Sequence, residues 1–361
     1  MSYRSIRSPR FLINVLDFLD NVGYSKMDPI NSTSPASINK MNGLWPEEDG
    51  YDPMHYITAS FPNGIFTEKS FAAFLGHSTE AEQGTLIIEP DSYTDTIVVN
   101  ANKYSGNDSH IKPLYKGFTI QSFNGLEADY GQSGELVIET YADFACNCVI
   151  VGTYYDMPNA PNLSLTMSRE YEMVKEITTY NGSSISNSMG NGAPKWGELA
   201  PWELDRYVYG ASESLEIKDK SLSRSGRKTW NLKWSFMDDS DLWGSNQSLS
   251  VYSTEHDDSD TFGVEGDYKP IYTDTGYDSE DIHTATGISV GFNYNLLTGD
   301  NFFSQVWHRT LGGTLPFIFQ PDSNNQNPDQ FTICRFKNNS LKVTQSAFNV
   351  YDISLSIEET W

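Results

Sequence analysis

Arg227-Lys228-Thr229-Trp230-Asn231-Leu232-Lys233-Trp234-Ser235-Phe236 is the stretch on which the fold turns. Trp230, Leu232, Trp234 and Phe236 alternate there with Asn231, Lys233 and Ser235. A period of two puts every second side chain on one face, so this is a half-buried strand with a heavy aromatic face. The closing run from Val350 repeats the pattern, with Ile353, Leu355 and Ile357 between Asp352, Ser354 and Ser356. Between the two lie strand-like runs at Leu315 to Gln320, Phe331 to Phe336 and Leu341 to Gln345, the last two joined at Asn338-Asn339. A helix precedes them. Asp300 is its expected cap, Phe302, Phe303, Val306, Trp307 and Thr310 its apolar face, and Gly312 its end.

Upstream, short strand-like runs recur at Phe71 to Leu75, Thr85 to Ile88, Thr96 to Val99, Phe118 to Phe123, Leu136 to Tyr141 and Val149 to Thr153. Asn63-Gly64, Asn124-Gly125 and Ser133-Gly134 punctuate them as turns. Such spacing predicts a β-sandwich. A connecting strand follows from Thr166 to Tyr180, and the Gly/Ser/Asn-rich Asn181 to Gly192 reads as mobile or held by a partner. At the start, Ser8 and Pro9 suit a helix N-terminus, Phe11, Leu12, Val15, Leu16, Phe18 and Leu19 form a stripe, and Asn21 with Gly23 ends it. The chain therefore divides into an N-terminal helix and extended arm (1–54), a β-sandwich (55–165) and a second β-domain (166–361). The last carries an acidic insert at 238–281. The class is mainly β.

The 361 residues are 38% hydrophobic and 13% aromatic, enough for real cores in a β-rich chain. A net charge of −24 argues against binding to nucleic-acid backbones or anionic membranes, both of which ask for a basic footprint. Met1 to Ser5 shows no apolar signal core, and no run is long enough to span a bilayer. Cys146, Cys148 and Cys334 are too few for a disulfide framework and lack metal-ligand spacing, so they read as reduced, buried thiols.

Sequence motifs of catalysis are missing. There is no Gly-x-Ser-x-Gly elbow, phosphate loop, dinucleotide fingerprint or His-Glu-x-x-His. His55, His77, His110, His256, His283 and His308 follow no ligand pattern. Glu89 with Asp91, or Asp238 with Asp241, supplies the carboxylates of a glycosidase, but 48 acidic residues produce such pairs by chance. No cofactor is expected. Ca2+ is the one cation the sequence raises, at Asp257, Asp258 and Asp260, where Phe262 stands in place of a third oxygen ligand. Aromatic faces on a sandwich can stack on sugar rings, which makes Tyr104, Tyr115, Tyr154 and Tyr155 the candidate glycan contacts. Trp196, Trp202, Trp230, Trp234, Trp307 and Trp361 are the candidate interface anchors.

Ser225 to Trp230 with Ser235 to Asp241, Gly312-Gly313 with Pro316 to Asp322, Phe331 to Phe336 and the terminal Ile357-Glu358-Glu359-Thr360-Trp361 together resemble tail structural proteins of tailed bacteriophages. The likeness is to the distal-tail, minor-tail or baseplate kind, most like those of marine phages. Phe74-Leu75-Gly76-His77-Ser78 resembles a segment of phage sandwich modules, themselves similar to carbohydrate-binding jelly rolls. The resemblance implies a jelly-roll-like sandwich beside a tail-module β-domain with one or two helices. It also implies a non-enzymatic virion protein, synthesised in the host cytoplasm. Rings of copies of itself would join the tail tube to hub, fibre or receptor-binding proteins. A host-surface glycan is a further expected partner, whereas sequence-specific nucleic acid and membrane insertion are not. The long acidic insert and the 55–155 strands set this chain apart from compact members. Two other readings stand beside it: a receptor- or glycan-binding tail accessory protein, and a polysaccharide-degrading tail enzyme.

Overall fold

A computed structural model describes residues 7–23, 28–29, 55–62, 64–66, 68–75, 84–90, 97–101, 118–123, 134–140, 148–163, 166–170, 174–188, 227–242, 299–327, 330–347 and 350–360. The protein is mainly β. Its first strands are β1 (Arg10–Asn14), β2 (Asp28–Pro29), β3 (His55–Phe61), β4 (Ser70–Leu75), β5 (Gly84–Pro90) and β6 (Ile97–Ala101). Then come β7 (Thr119–Phe123), β8 (Gly134–Thr140), β9 (Cys148–Asp156), β10 (Thr166–Glu170), β11 (Val174–Thr178) and β12 (Ser184–Ser188). The last are β13 (Arg227–Asp238), β14 (Phe317–Gln320), β15 (Thr332–Phe336), β16 (Val343–Ala347) and β17 (Val350–Glu359). Helix α1 covers Val15–Asn21, a single turn α2 covers Asp239–Leu242, and a π-helical segment covers Phe303–His308. Among the described residues no helix is long and apolar enough to cross a membrane.

Among the described residues the strands form three sheets. The largest is ten-stranded, in the order β10-β13-β17-β15-β14-β1-β9-β4-β7, with β16 also on β17. A five-stranded sheet runs β2-β3-β8-β5-β6, and β11 and β12 pair with each other. The strands expected between 55 and 165 thus divide between two sheets. β4, β7 and β9 continue the sheet to which the C-terminal strands belong.

Alternation along the large sheet feeds two cores. Phe11 and Ile13 on β1, Phe317 and Phe319 on β14, Phe336 on β15 and Trp230, Leu232 and Trp234 on β13 point into one, where Phe302, Val306 and Trp307 of the π-helical segment pack. Leu12, Ile318 and Ile333, the residues between, join Phe71, Ala73 and Ile150 in the other. Phe11 makes ring contacts at 5.3–6.0 Å with Phe319, Phe317, Phe302 and Phe336. Aromatic pairs at such distances add to plain area burial.

The helix expected from Ser8 begins seven residues later. Arg10–Asn14 is instead a central strand, paired to β9 on one side and β14 on the other. Phe11-Leu12-Ile13 is apolar without a break and is buried on both faces, a pattern that period alone does not separate from a helix. The actual cap of α1 is Asn14, whose side-chain oxygen accepts from the Asp17 N–H at 3.3 Å. Gly23 ends the helix at φ 73°, as expected.

A second difference lies in β13. Its register against β17 shifts between Trp234 and Met237, which is a β-bulge. The extra residue reverses the alternation. Met237 is fully buried, and Phe236, expected on the aromatic face, is 80% exposed at φ 64°.

The segment after Gly299 is π-helical, with Gly312 N–H donating to Trp307 O at 3.0 Å. Its N-terminal cap is Asn301, not Asp300: Asn301 Oδ1 accepts from the Ser304 N–H at 2.9 Å. Asn301→Ala is expected to cost about 1 kcal/mol, the usual worth of such a cap, and Asp300→Ala much less. Thermal melting of the two variants checks the assignment. Next in this segment, His308 packs edge-on to Phe18 at 5.4 Å, a packing role. Arg309 is fully buried and donates to Thr153 Oγ1 and to Ile65 O, the latter at 3.1 Å. Burial pushes its pKa down to about 9, so it still carries its charge at neutral pH. That side chain ties the π-helical segment to β9 and to the turn before β4.

Candidate contact site: an edge groove and a hairpin

Among the described residues β10 stands at the edge of the large sheet, and it pairs with β13. The register sets Met167 opposite Trp230 and Arg169 opposite Lys228. Side chains opposite each other in an antiparallel pair share a face, so two bases and two large apolar groups meet at this corner. Here a groove of about 340 Å³ opens, walled by Met167, Arg169, Lys228 and Trp230 and continued by Gln330 and Thr332. Pro9, Pro161 and Pro321 also line it. Their rings fix φ, which stiffens those walls. Trp230 and Lys228 are buried, while Met167 and Arg169 on the edge strand are exposed.

Beneath the corner a buried charge organises β13 and β17. Glu359 is 4% exposed, and its carboxylate accepts from the Lys228 backbone N–H at 2.9 Å. Cys334 lies opposite Glu359 on β15. Burial, and then the Glu359 carboxylate, push the Cys334 thiol well above its ordinary range, so it stays protonated. Cys334 and Cys148 are both buried free thiols, as expected; Cys146 is outside the described residues.

The loop before β10 is pinned along β13. Asn162 N–H donates to Lys233 O at 2.7 Å, and its side-chain amide donates to Ser235 Oγ at 3.0 Å. After β10 comes a hairpin, which takes in residues 181–188 of the Gly/Ser/Asn-rich stretch 181–192. β11 and β12 pair over Val174↔Ser188 to Thr178↔Ser184. Thr179 N–H donates to Ser183 O at 2.7 Å and Gly182 N–H to Thr179 O at 2.9 Å. The Asn181 side-chain oxygen accepts from the Thr179 hydroxyl and the Ser183 N–H, and Gly182 adopts φ 82°. This well-made turn holds Tyr180 fully exposed at its tip.

Trp230, Trp234 and Trp307 sit inside the chain's own core, with Trp230 also walling the groove. Trp234 is fully buried and donates its indole N–H to Asn159 O at 3.0 Å. The alternation that marks a strand face does not say whether the face meets its own domain or a neighbour. Trp196, Trp202 and Trp361 lie outside the described residues, as do Tyr104 and Tyr115. Tyr154 is half-covered beneath Arg10, whose guanidinium lies 4.1 Å from the ring centre and pairs with Asp156 at 2.6 Å. Tyr155 is buried in the core and donates to Asp241 O at 3.1 Å. Burial first, then Asp241, raise its pKa. The two neighbours therefore serve different faces of β9, and no shared sugar platform forms from them.

Of the carboxylate pairs, Asp241 lies on α2 and Asp238 ends β13, whereas Glu89 belongs to β5 and Asp91 is outside the described residues. The acidic run containing Asp257, Asp258 and Asp260 is also outside them. Among the described residues no group of three or more His, Cys, Asp or Glu is placed to hold a metal. The groove lining sets Arg169, Lys228, Gln330 and Thr332 beside the apolar Met167 and Trp230. No protein-family model, curated protein or solved structure matches this chain.

Proposed function

We propose that this chain is a structural subunit of a phage tail, at the distal tail or baseplate, working by contact with copies of itself and with other tail proteins. One observation carries the reading. The segments with the tail-protein likeness fall on β13, β17, β15 and β14, four adjacent strands of one sheet. They make a contiguous module whose outer strand β13 bears the edge strand β10 and the groove. A ring needs two different surfaces on each subunit, related by a rotation that closes. An edge groove and an exposed hairpin tip are surfaces of that kind.

Native mass spectrometry and negative-stain imaging of the purified full chain test the reading. A closed homo-oligomer with a central opening is expected. A monomer at every concentration up to the solubility limit overturns it.

A further inference from the structure

We propose that Tyr180, at the tip of the β11–β12 hairpin of one copy, docks into the groove beside β10 of the next copy. The inference rests on the ring-subunit reading and names its contact.

Three observations lead to it. First, among the described residues the hairpin's only ladder is its own. A lone two-stranded hairpin is marginal in water and gains stability by packing on something. Second, the tip is organised while its largest side chain is left out. Side-chain and backbone hydrogen bonds fix residues 179–183, yet Tyr180 is fully exposed. Tyrosine suits such a position, because it brings large contact area at a low cost in side-chain freedom. Third, the groove matches a phenol. Its volume of about 340 Å³ takes one ring. Met167 and Trp230 give apolar and edge contacts to a ring, and Gln330 and Thr332 are polar residues in the same lining.

A second copy is the favoured occupant over the chain's own tip. Tyr180 is fully exposed in its own chain, so the tip does not occupy that chain's own groove. Tip and groove are different surfaces, so the contact is heterologous and repeats by rotation, as a ring requires.

The test uses full-length chain and two single variants. Tyr180→Ala removes the plug. Met167→Trp fills the groove from an exposed edge position that accepts a large strand-former. Each variant alone is expected to sediment as a monomer, with self-association at least tenfold weaker and with an unchanged far-UV circular dichroism spectrum. Mixed together they are expected to form one-to-one dimers and nothing larger, because only one tip and one groove remain intact. Tyr180→Phe, which keeps the ring, retains assembly. If Tyr180→Ala still forms the wild-type ring, or if the mixture stays monomeric, the docking is wrong and the ring reading stands. If the wild-type chain is itself monomeric, both fall.

Discussion

Gly152→Ala is expected to destabilise the protein by about 4 kcal/mol or more, at the upper end of what one substitution does. Gly152 lies on β9 opposite Asn14 of β1 and Phe71 of β4. A Cβ built there falls 1.8 Å from Ile13 O, 2.9 Å from Ile13 C and 3.1 Å from Val15 N. All three are backbone atoms, so no side chain can swing aside. The close approach occurs where the chain leaves β1 and turns into α1. β1 has no room to retreat, since it is paired to β14 on its other side. The methyl must therefore break the ladder between β1 and β9 or push apart two cores that β1 feeds from its two faces. Gly23→Ala is the control. Gly23 has φ 73° and nothing within 4 Å of a new Cβ, so its cost is conformational only, about 1–2 kcal/mol. Denaturant unfolding of both variants measures the gap. A Gly152→Ala protein no weaker than Gly23→Ala would show that β1 and β9 do not pass each other as described.

That crossing is also where sequence reasoning and structure part. β13 and β17 were legible because each has one face in the core and one in water, so polarity alternates. β1 was not, because both of its faces are covered. Its neighbours, β9 and β14, come from residues 148–156 and 317–320, and nothing local in Ser8-Pro9 announces them. Pairing across such separations overrides a local helix pattern. The bulge after Trp234 is hidden for a related reason. The residues continue to alternate through Phe236, and only the register against β17 shows that one of them is extra.

The candidate contact site was legible in part. Asn181-Gly182 is a strong hairpin signal, but the Ser/Asn-rich residues after it favour a loop reading of what is strand β12. The meeting of Arg169 with Lys228 and of Met167 with Trp230 depends on register across some sixty residues of sequence, which no local pattern fixes. Trp230 and Trp234 were found as strand residues; both lie in the core, and Trp230 also walls the groove. A large aromatic on an alternating strand fits a core and an interface equally well until the opposite face is known. The choice of Tyr180 over Trp230, Trp234 and Trp307 follows from exposure, which only the fold reveals.

Trp234→Ala is the second large effect, expected at about 3–5 kcal/mol. Its indole is wholly buried among the residues that β13, β17 and the π-helical segment contribute. Truncation leaves a cavity that the β17 ladder on one side of Trp234 and the pinned Asn162 loop on the other keep from collapsing. It also deprives Asn159 O of the indole N–H, a hydrogen bond worth about 1 kcal/mol net. Trp234→Phe separates the two contributions, since it keeps most of the ring and loses the donor; about 1–2 kcal/mol is expected. The smaller variant has a local consequence as well. Asn159 begins the loop that Asn162 fastens to Lys233 and Ser235, and the same loop carries Pro161 into the groove wall. With the indole donor gone, the Asn162 amide is expected to exchange with solvent faster while amides in β17 keep their protection. Equal exchange at Asn162 in wild type and Trp234→Phe would mean that the loop is held by Asn162 alone. The core and the contact surface would then be energetically independent, and core substitutions at this strand would leave assembly untouched.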